Sequence, residues 1–164
     1  IQVRIDSLLS VRFGEIPPLS NEAFNRLAQK ATDYLIFQAA EATIEDLIGS
    51  GELDIIEDPV IREGIATWES QLLGIRYLEA DHKKSFNDLL EYYRSHSEIY
   101  KIMRGRLIFS EEMQEQLLAD PVYLNTLTYH AIPLQLLNEE YRRKKAVFRE
   151  FLDRVDTEVE RLGN

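Results

Sequence analysis

Residues 58–100, DPVIREGIATWESQLLGIRYLEADHKKSFNDLLEYYRSHSEIY, decide the fold. After Pro59 the stretch has no proline and no Gly-Gly pair. Its large apolar side chains recur at steps of four and three: Ile61, Ile65, Trp68, Leu72, Ile75, then Phe86, Leu89, Tyr93 and Tyr100. That spacing holds one stripe on one side of an α-helix, as in a coiled-coil seam. A helix of this length spans roughly 60 Å at about 1.5 Å per residue. It cannot bury its stripe alone, so the sequence predicts partner helices. Ile61, Ile65, Trp68, Leu72, Phe86 and Leu89 are expected to face them, with Arg62, Glu69, Lys83 and Glu91 in solvent.

Working outward, helix punctuation is legible on both sides. Pro17-Pro18 closes an N-terminal segment, and Ser20 reads as an N-cap with Glu22 in the first turn. Apolar residues follow at Phe24, Leu27, Ala31, Tyr34 and Leu35. A break is expected near Gln38 to Ala42. Thr43-Ile44-Glu45-Asp46 resembles a capping box that opens a short helix from Ile44 to Ile48. Gly49-Ser50-Gly51 closes it, and Gly51 is expected at positive φ. Asp58-Pro59 then supplies an acceptor at the cap and a proline where no amide is missed.

Gly64 and Gly74 inside the long helix predict close packing, since each costs about 1 kcal/mol against alanine. Past Tyr100, 101–109 reads as a connector and Ser110-Glu111-Glu112 as a short helix start. Asp120-Pro121 opens the last long helix, to Leu162, with a kink or a full break expected near Pro133. No strand-like alternation is sustained. The expected architecture is all-α, one domain over 1–164: a long antiparallel helical hairpin with shorter helices packed against it.

Composition limits function. The 164 residues carry 45% hydrophobic and 29% charged side chains and a net charge of −10. That charge argues against nucleic acid, whose phosphates need clustered positive charge, and against an anionic lipid surface. Absence of cysteine excludes disulfides and thiolate metal sites. No apolar run reaches the roughly 18 residues of a membrane span, and no signal peptide is visible. The chain opens on Ile1 rather than Met, which reads as a fragment or processed product whose anchor would lie upstream.

The stretch Thr43-Ile44-Glu45-Asp46-Leu47-Ile48-Gly49-Ser50-Gly51-Glu52-Leu53-Asp54-Ile55-Ile56-Glu57-Asp58 resembles a T-x-x-x-L-x-x-S-G-x-L-x-x-I-x-(D/N) signature. That signature belongs to a family of uncharacterised bacterial proteins. Val60-Ile61-Arg62-Glu63-Gly64-Ile65 is similar to the start of the family's long helix, and Tyr123-Leu124-Asn125 with the closing amphipathic helix fits the same pattern. The resemblance implies an N-terminal transmembrane helix ahead of an α-helical soluble region on the periplasmic side of the inner membrane. It implies no activity. The motif also has a purely structural explanation: Thr43 caps, Leu47 and Ile48 are expected to bury, Gly51 turns the chain, and Leu53 and Ile56 pin the turn against the core.

Little in the sequence carries chemistry. His82 and His96, with Glu79, fall on the long helix's seam, and their fourteen-residue separation of about 21 Å forbids a shared metal. Two readings fit them, a polar interruption that fixes register and a pH-responsive seam. His130 is expected to donate to a carbonyl freed by Pro133. The carboxylates between Glu41 and Asp58 lack EF-hand spacing and read as a solvated face. Arg142-Arg143-Lys144-Lys145 with Arg149 is the one basic cluster, expected to pair with that acidic stretch.

Phosphate-loop, dinucleotide, serine-hydrolase and zinc-protease motifs are all missing, so no cofactor and no enzyme activity is expected. Two functions remain. One is a non-catalytic interaction or scaffolding domain; the other is a ligand-sensing bundle with a small molecule near Trp68 and Tyr77. For the first, Tyr92, Tyr93 and Tyr100 are the candidate interface to a homodimer or protein partner.

Overall fold

The computed structural model describes residues 2–34, 36–37, 42–98, 100–104 and 109–162, and among these there is no strand. The helices are α1 (Gln2–Arg12), α2 (Asn21–Ala31), α3 (Ala42–Ser50), α4 (Pro59–Ala66), α5 (Trp68–His96), α6 (Tyr100–Met103), α7 (Glu111–Ala119) and α8 (Pro121–Leu162). A 3-10 turn, Glu52–Ile55, joins α3 to α4. The all-α expectation holds. The chain divides into two compact units, Ile1–Leu35 with Leu78–Leu137, and Ile36–Tyr77 with Asn138–Asn164.

Short polar side chains set the helix starts. Ser20 Oγ accepts from the Ala23 amide at 3.2 Å, Ser110 Oγ from Met113 at 3.2 Å, and Asp120 Oδ1 from Val122 at 2.8 Å. Asp58 Oδ1 accepts from Val60 and Ile61 at 2.8 and 3.1 Å, with Pro59 in the first turn. Each satisfies amides that the helix leaves without a partner. Gly51 sits at φ 75°, as the helix-closing position requires.

Three expectations need correction. The long helix is interrupted: α4 ends at Ala66, and Thr67, at φ −97° and ψ 0°, separates it from α5. The Thr67 hydroxyl donates to the Glu63 carbonyl at 2.9 Å, a local competition that short hydroxyl residues bring to a helix. The helix also stops at His96 rather than Tyr100. There Ser95 Oγ donates to Tyr92 O at 2.9 Å and Ser97 Oγ to Tyr93 O at 2.6 Å, so side chains take the carbonyls of the last turn.

Thr43 lies inside α3, which starts at Ala42, so it is not the cap; the residue ahead of Ala42 lies outside the described residues. The expected break near Gln38 to Ala42 also falls largely outside them. The last helix, by contrast, runs unbroken through Pro133.

Unit 1 has a dense core. Ile5, Leu8, Phe24, Ala28, Leu89, Tyr93, Phe109, Leu117, Tyr123 and Leu127 are buried in one cluster drawn from α1, α2, α5, α7, α8 and Phe109, which lies just ahead of the α7 cap Ser110. Asn25, in α2, clamps the Phe109 backbone: its Nδ2 donates to Phe109 O and its Oδ1 accepts from Phe109 N, both at 2.8 Å. Gln114 Nε2 reaches the Leu19 carbonyl at 3.1 Å. These bonds satisfy main-chain groups that no helix serves.

Unit 2 is thinner. Ile61, Ile65, Leu72 and Ile75 form its buried stripe. Trp68, half-buried, packs on Phe148 and Phe151 of α8 at ring separations of 4.8 and 6.2 Å. Gly64 lies against Phe151, Gln71 accepts from Lys144 Nζ, and Gly74 faces Glu140. Ascending positions 64, 68, 71 and 74 therefore meet descending positions 151, 148, 144 and 140. The acidic stretch finds its cations later on α8 than the basic cluster: Asp58 pairs with Arg154 at 2.6 Å and Glu57 with Arg161 at 3.3 Å. Burial pushes the Asp58 carboxyl up, and Arg154 with the two capping amides outweighs it, leaving Asp58 below the usual carboxylate range.

Candidate functional site

The expected interface does not survive at two of its three tyrosines. Tyr92 and Tyr93 are buried in unit 1. The Tyr93 ring packs edge-on against Phe109 at 5.3 Å, and its hydroxyl lies 3.2 Å from that of Tyr123 and 3.4 Å from Ala28 O. The Tyr92 hydroxyl donates to the Asp120 carboxylate, and this bond together with the Val122 amide holds Asp120 below its ordinary pKa. Phe109, Leu117 and Tyr123 already fill the face that these rings present. Only Tyr100 is exposed. Gly51 and Asp58 act as caps and turns within unit 2, which is structural work.

Trp68 and Tyr77 do not converge on a ligand site. Nine residues along α5 is two and a half turns, which points them to opposite sides, and Tyr77 is exposed while Trp68 packs on Phe148.

His96 is exposed and stacked on Tyr92 at 4.1 Å, with Nδ1 2.8 Å from the Tyr92 carbonyl. His130 does not serve a carbonyl freed by Pro133. Its Nε2 lies 3.2 Å from Ala31 O at the end of α2, and its Nδ1 2.9 Å from Ser85 Oγ. A carbonyl only accepts, so Nε2 carries the proton and the Ser85 hydroxyl donates to bare Nδ1. His82 stacks on His130 at 5.2 Å and on Tyr34 at 5.3 Å.

Both His82 ring nitrogens are buried without a hydrogen-bond partner. Burial, aided by the neighbouring His82, pushes His130 down to about 4; burial lowers His82 as well, against the pull of Glu79. The Ser85–His130 pair has the contact of a nucleophile and its base, but both residues are fully buried and no substrate can reach them. Among the described residues no group of three or more His, Cys, Asp or Glu could hold a metal ion. Nor is any described helix long and apolar enough to cross a membrane.

The outward face of α8 is different in kind. In unit 1, Tyr123, Leu127, His130, Leu134 and Leu137 turn inward. A second set at the same three-four spacing, Val122, Asn125, Tyr129, Ile132 and Leu136, turns outward. Its apolar members are 59%, 48%, 53% and 46% exposed, in chain order, and Asn125 is exposed with them. From Pro121 to Asn138 there is no Asp, Glu, Lys or Arg. In a chain with 29% charged residues, that run is the signal the sequence reading passed over. It is an unpartnered heptad seam with one polar position.

Compared with known proteins, the chain matches no family model, no curated protein sequence and no solved structure.

Proposed function

We propose that this chain is a non-catalytic interaction domain, the soluble part of a membrane-anchored bacterial protein, and that it pairs with a second copy of itself along the outward seam of α8. The observation that carries the pairing is the uncharged exposed row Val122, Asn125, Tyr129, Ile132 and Leu136. A chain with net charge −10 repels its copy over most of its surface. Along this row no charged side chain adds to that repulsion, and four large apolar side chains are exposed. Depletion of charge with an aromatic at the centre is the composition of an interface core. Asn125 facing its counterpart would select register, as a lone asparagine does in coiled-coil seams. Support for the anchor and the periplasmic compartment comes from the resemblance at 43–58 alone.

The architecture behind this proposal is a long antiparallel hairpin of α4–α5 with α8. Its support is that in each unit the contacts step in opposite chain directions: 64 to 74 against 151 to 140, and 85 and 92 against 130 and 123. The ligand-sensing alternative draws no support from Trp68 and Tyr77.

Sedimentation of the wild-type chain and of Ile132→Glu tests the pairing. The wild type should show a concentration-dependent dimer. The variant should weaken it at least tenfold with helix content unchanged, because Ile132 is exposed and its loss costs the fold little. A strict monomer at the highest soluble concentration, or a dimer indifferent to Ile132→Glu, would overturn the proposal.

A further inference from the structure

The three-ring stack of Tyr34, His82 and His130 is more than packing. Two imidazoles lie face to face in the interior of unit 1, 5.2 Å apart and 23° from parallel. One has both nitrogens without a partner. Burying an unpaired polar ring costs free energy that a leucine or phenylalanine would not. The pair joins three pieces of chain: His130 on α8 holds the last carbonyl of α2, His82 on α5 supports Tyr34, and Tyr34 also packs on Phe86 at 5.1 Å.

We propose that His82 and His130 form an acid-sensitive latch, which when protonated releases residues 31–34 from α5 and α8 within unit 1 while the helices themselves remain.

The charged and titratable groups around the pair explain why protons open it. From α5 comes the Glu79 carboxylate, the one opposite charge acting on His82. From the stretch after α2 comes the Tyr34 phenol, neutral at these pH values. Asp33 beside it is held by Arg4 at 2.8 Å and lies 3.9 Å from Lys30. α2 offers the Ala31 carbonyl. α8 offers no counter-charge, since 121–138 is uncharged.

A first proton fits. It goes to His130 Nδ1, and the Ser85 hydroxyl turns from that nitrogen to the His82 carbonyl, 3.0 Å away. Ser85 Oγ then accepts from the new N–H. A second proton, on His82, meets no acceptor, and it places like charges within one ring stack. Exposing His82 by moving Tyr34 aside solves both problems.

The sign follows from linkage. In the released state both rings have ordinary values near 6.5, whereas in the latched state both are depressed, His130 to about 4. The released state therefore binds more protons between about pH 6.5 and 4. Latching is at full strength above that window and is lost as pH falls through it. For His130 alone the released-to-latched ratio should rise roughly fortyfold between pH 6.5 and 4.5, with a slope approaching about tenfold per unit in the middle of the window.

Nuclear magnetic resonance titration of the intact chain from pH 7.5 to 4.5 tests this. The His82 and His130 ring signals should stay neutral well below 6.5. The Tyr34 ring signals, displaced by the stack, should then move to free-tyrosine positions in step with histidine protonation, while Tyr123 signals do not move. In His82→Phe, which keeps the stack without a proton site, the Tyr34 transition should shift to lower pH. Ordinary histidine midpoints with unmoved Tyr34 signals would overturn the latch. So would an unchanged Tyr34 transition in the variant, which would assign acid sensitivity to carboxylates. If the variant fails to fold, the wild-type titration decides alone.

Discussion

In unit 1 the inward residues of α5 and α8, Leu89, Tyr93, Tyr123 and Leu127, lose all contact with water, and buried Asn25 and His130 bond to main chain far away in sequence, at Phe109 and Ala31. In unit 2, α4 and the first turns of α5 bury a single stripe, Ile61, Ile65, Leu72 and Ile75, with a half-buried Trp68. Charged groups at that unit's edges add Asp58 to Arg154 and Glu57 to Arg161. The lesson concerns where stability comes from. A helix stripe of constant spacing gives a deep core only where several elements cover it. Unit 1 has α1, α2 and α7 to do so; in unit 2, α4 meets α3 and the 3-10 turn, and Gly64, Trp68 and Gln71 meet α8. Unit 1 should be sensitive to loss of polar partners, and unit 2 to the fit of its helix contact.

The largest expected effect lies in unit 1. Asn25→Ala removes the acceptor of the buried Phe109 N–H and one of two donors to its C=O, where Asn21 Nδ2 remains at 3.1 Å. Leaving that one buried N–H unpaired costs about 1–3 kcal/mol, so a loss of about 2 kcal/mol is expected. Urea unfolding followed by circular dichroism measures it. A loss under about 1 kcal/mol would mean water replaces the clamp, and the contrast with unit 2 would weaken.

The next effect lies in unit 2. A Cβ at Gly64 would collide with the Phe151 ring, whose Cδ2 and Cε2 lie against the helix there. Overpacking of this kind costs about 1–3 kcal/mol, and the better helix propensity of alanine returns about 1. Gly64→Ala should therefore lose about 1 kcal/mol, and Gly64→Ala with Phe151→Leu should recover part of it. A more stable single variant would show that the ring moves freely and that unit 2 is looser than described.

Local chemistry was readable in the sequence and nonlocal pairing was not. Ser20, Asp58, Ser110 and Asp120 announce helix starts because a cap acts within three residues. Gly51 announces its positive φ for the same reason. Thr67 gives no such signal, because a lone β-branched hydroxyl residue is usually tolerated in a helix, whereas here its side chain takes a carbonyl of the preceding turn. Asn25 with Phe109, and His82 with His130, lie far apart in sequence and meet only through tertiary packing. The outward seam of α8 was legible in principle. Leu134 and Leu137 on its inward side and Ile132 and Leu136 on its outward side share one three-four spacing, so spacing alone does not say which stripe the fold covers.

The smallest effect sharpens the comparison most. Gly74 occupies the same seam as Gly64, three turns further along, and the sequence predicts close packing at both. A Cβ at Gly74 would come 3.3 Å from Glu140 Oε1 and 3.9 Å from its Cδ, with nothing else within 4 Å. That oxygen ends a flexible side chain held by Arg143, a surface-exposed partner. It can give by a few tenths of an ångström at small cost. Gly74→Ala should then stabilise by a few tenths of a kcal/mol, up to about 1, through alanine's better helix propensity. Thermal unfolding of Gly64→Ala and Gly74→Ala side by side checks the opposite signs. Equal losses at both would mean that α5 approaches α8 as closely at Gly74 as α4 does at Gly64, and that the contact of unit 2 is tight along its whole length.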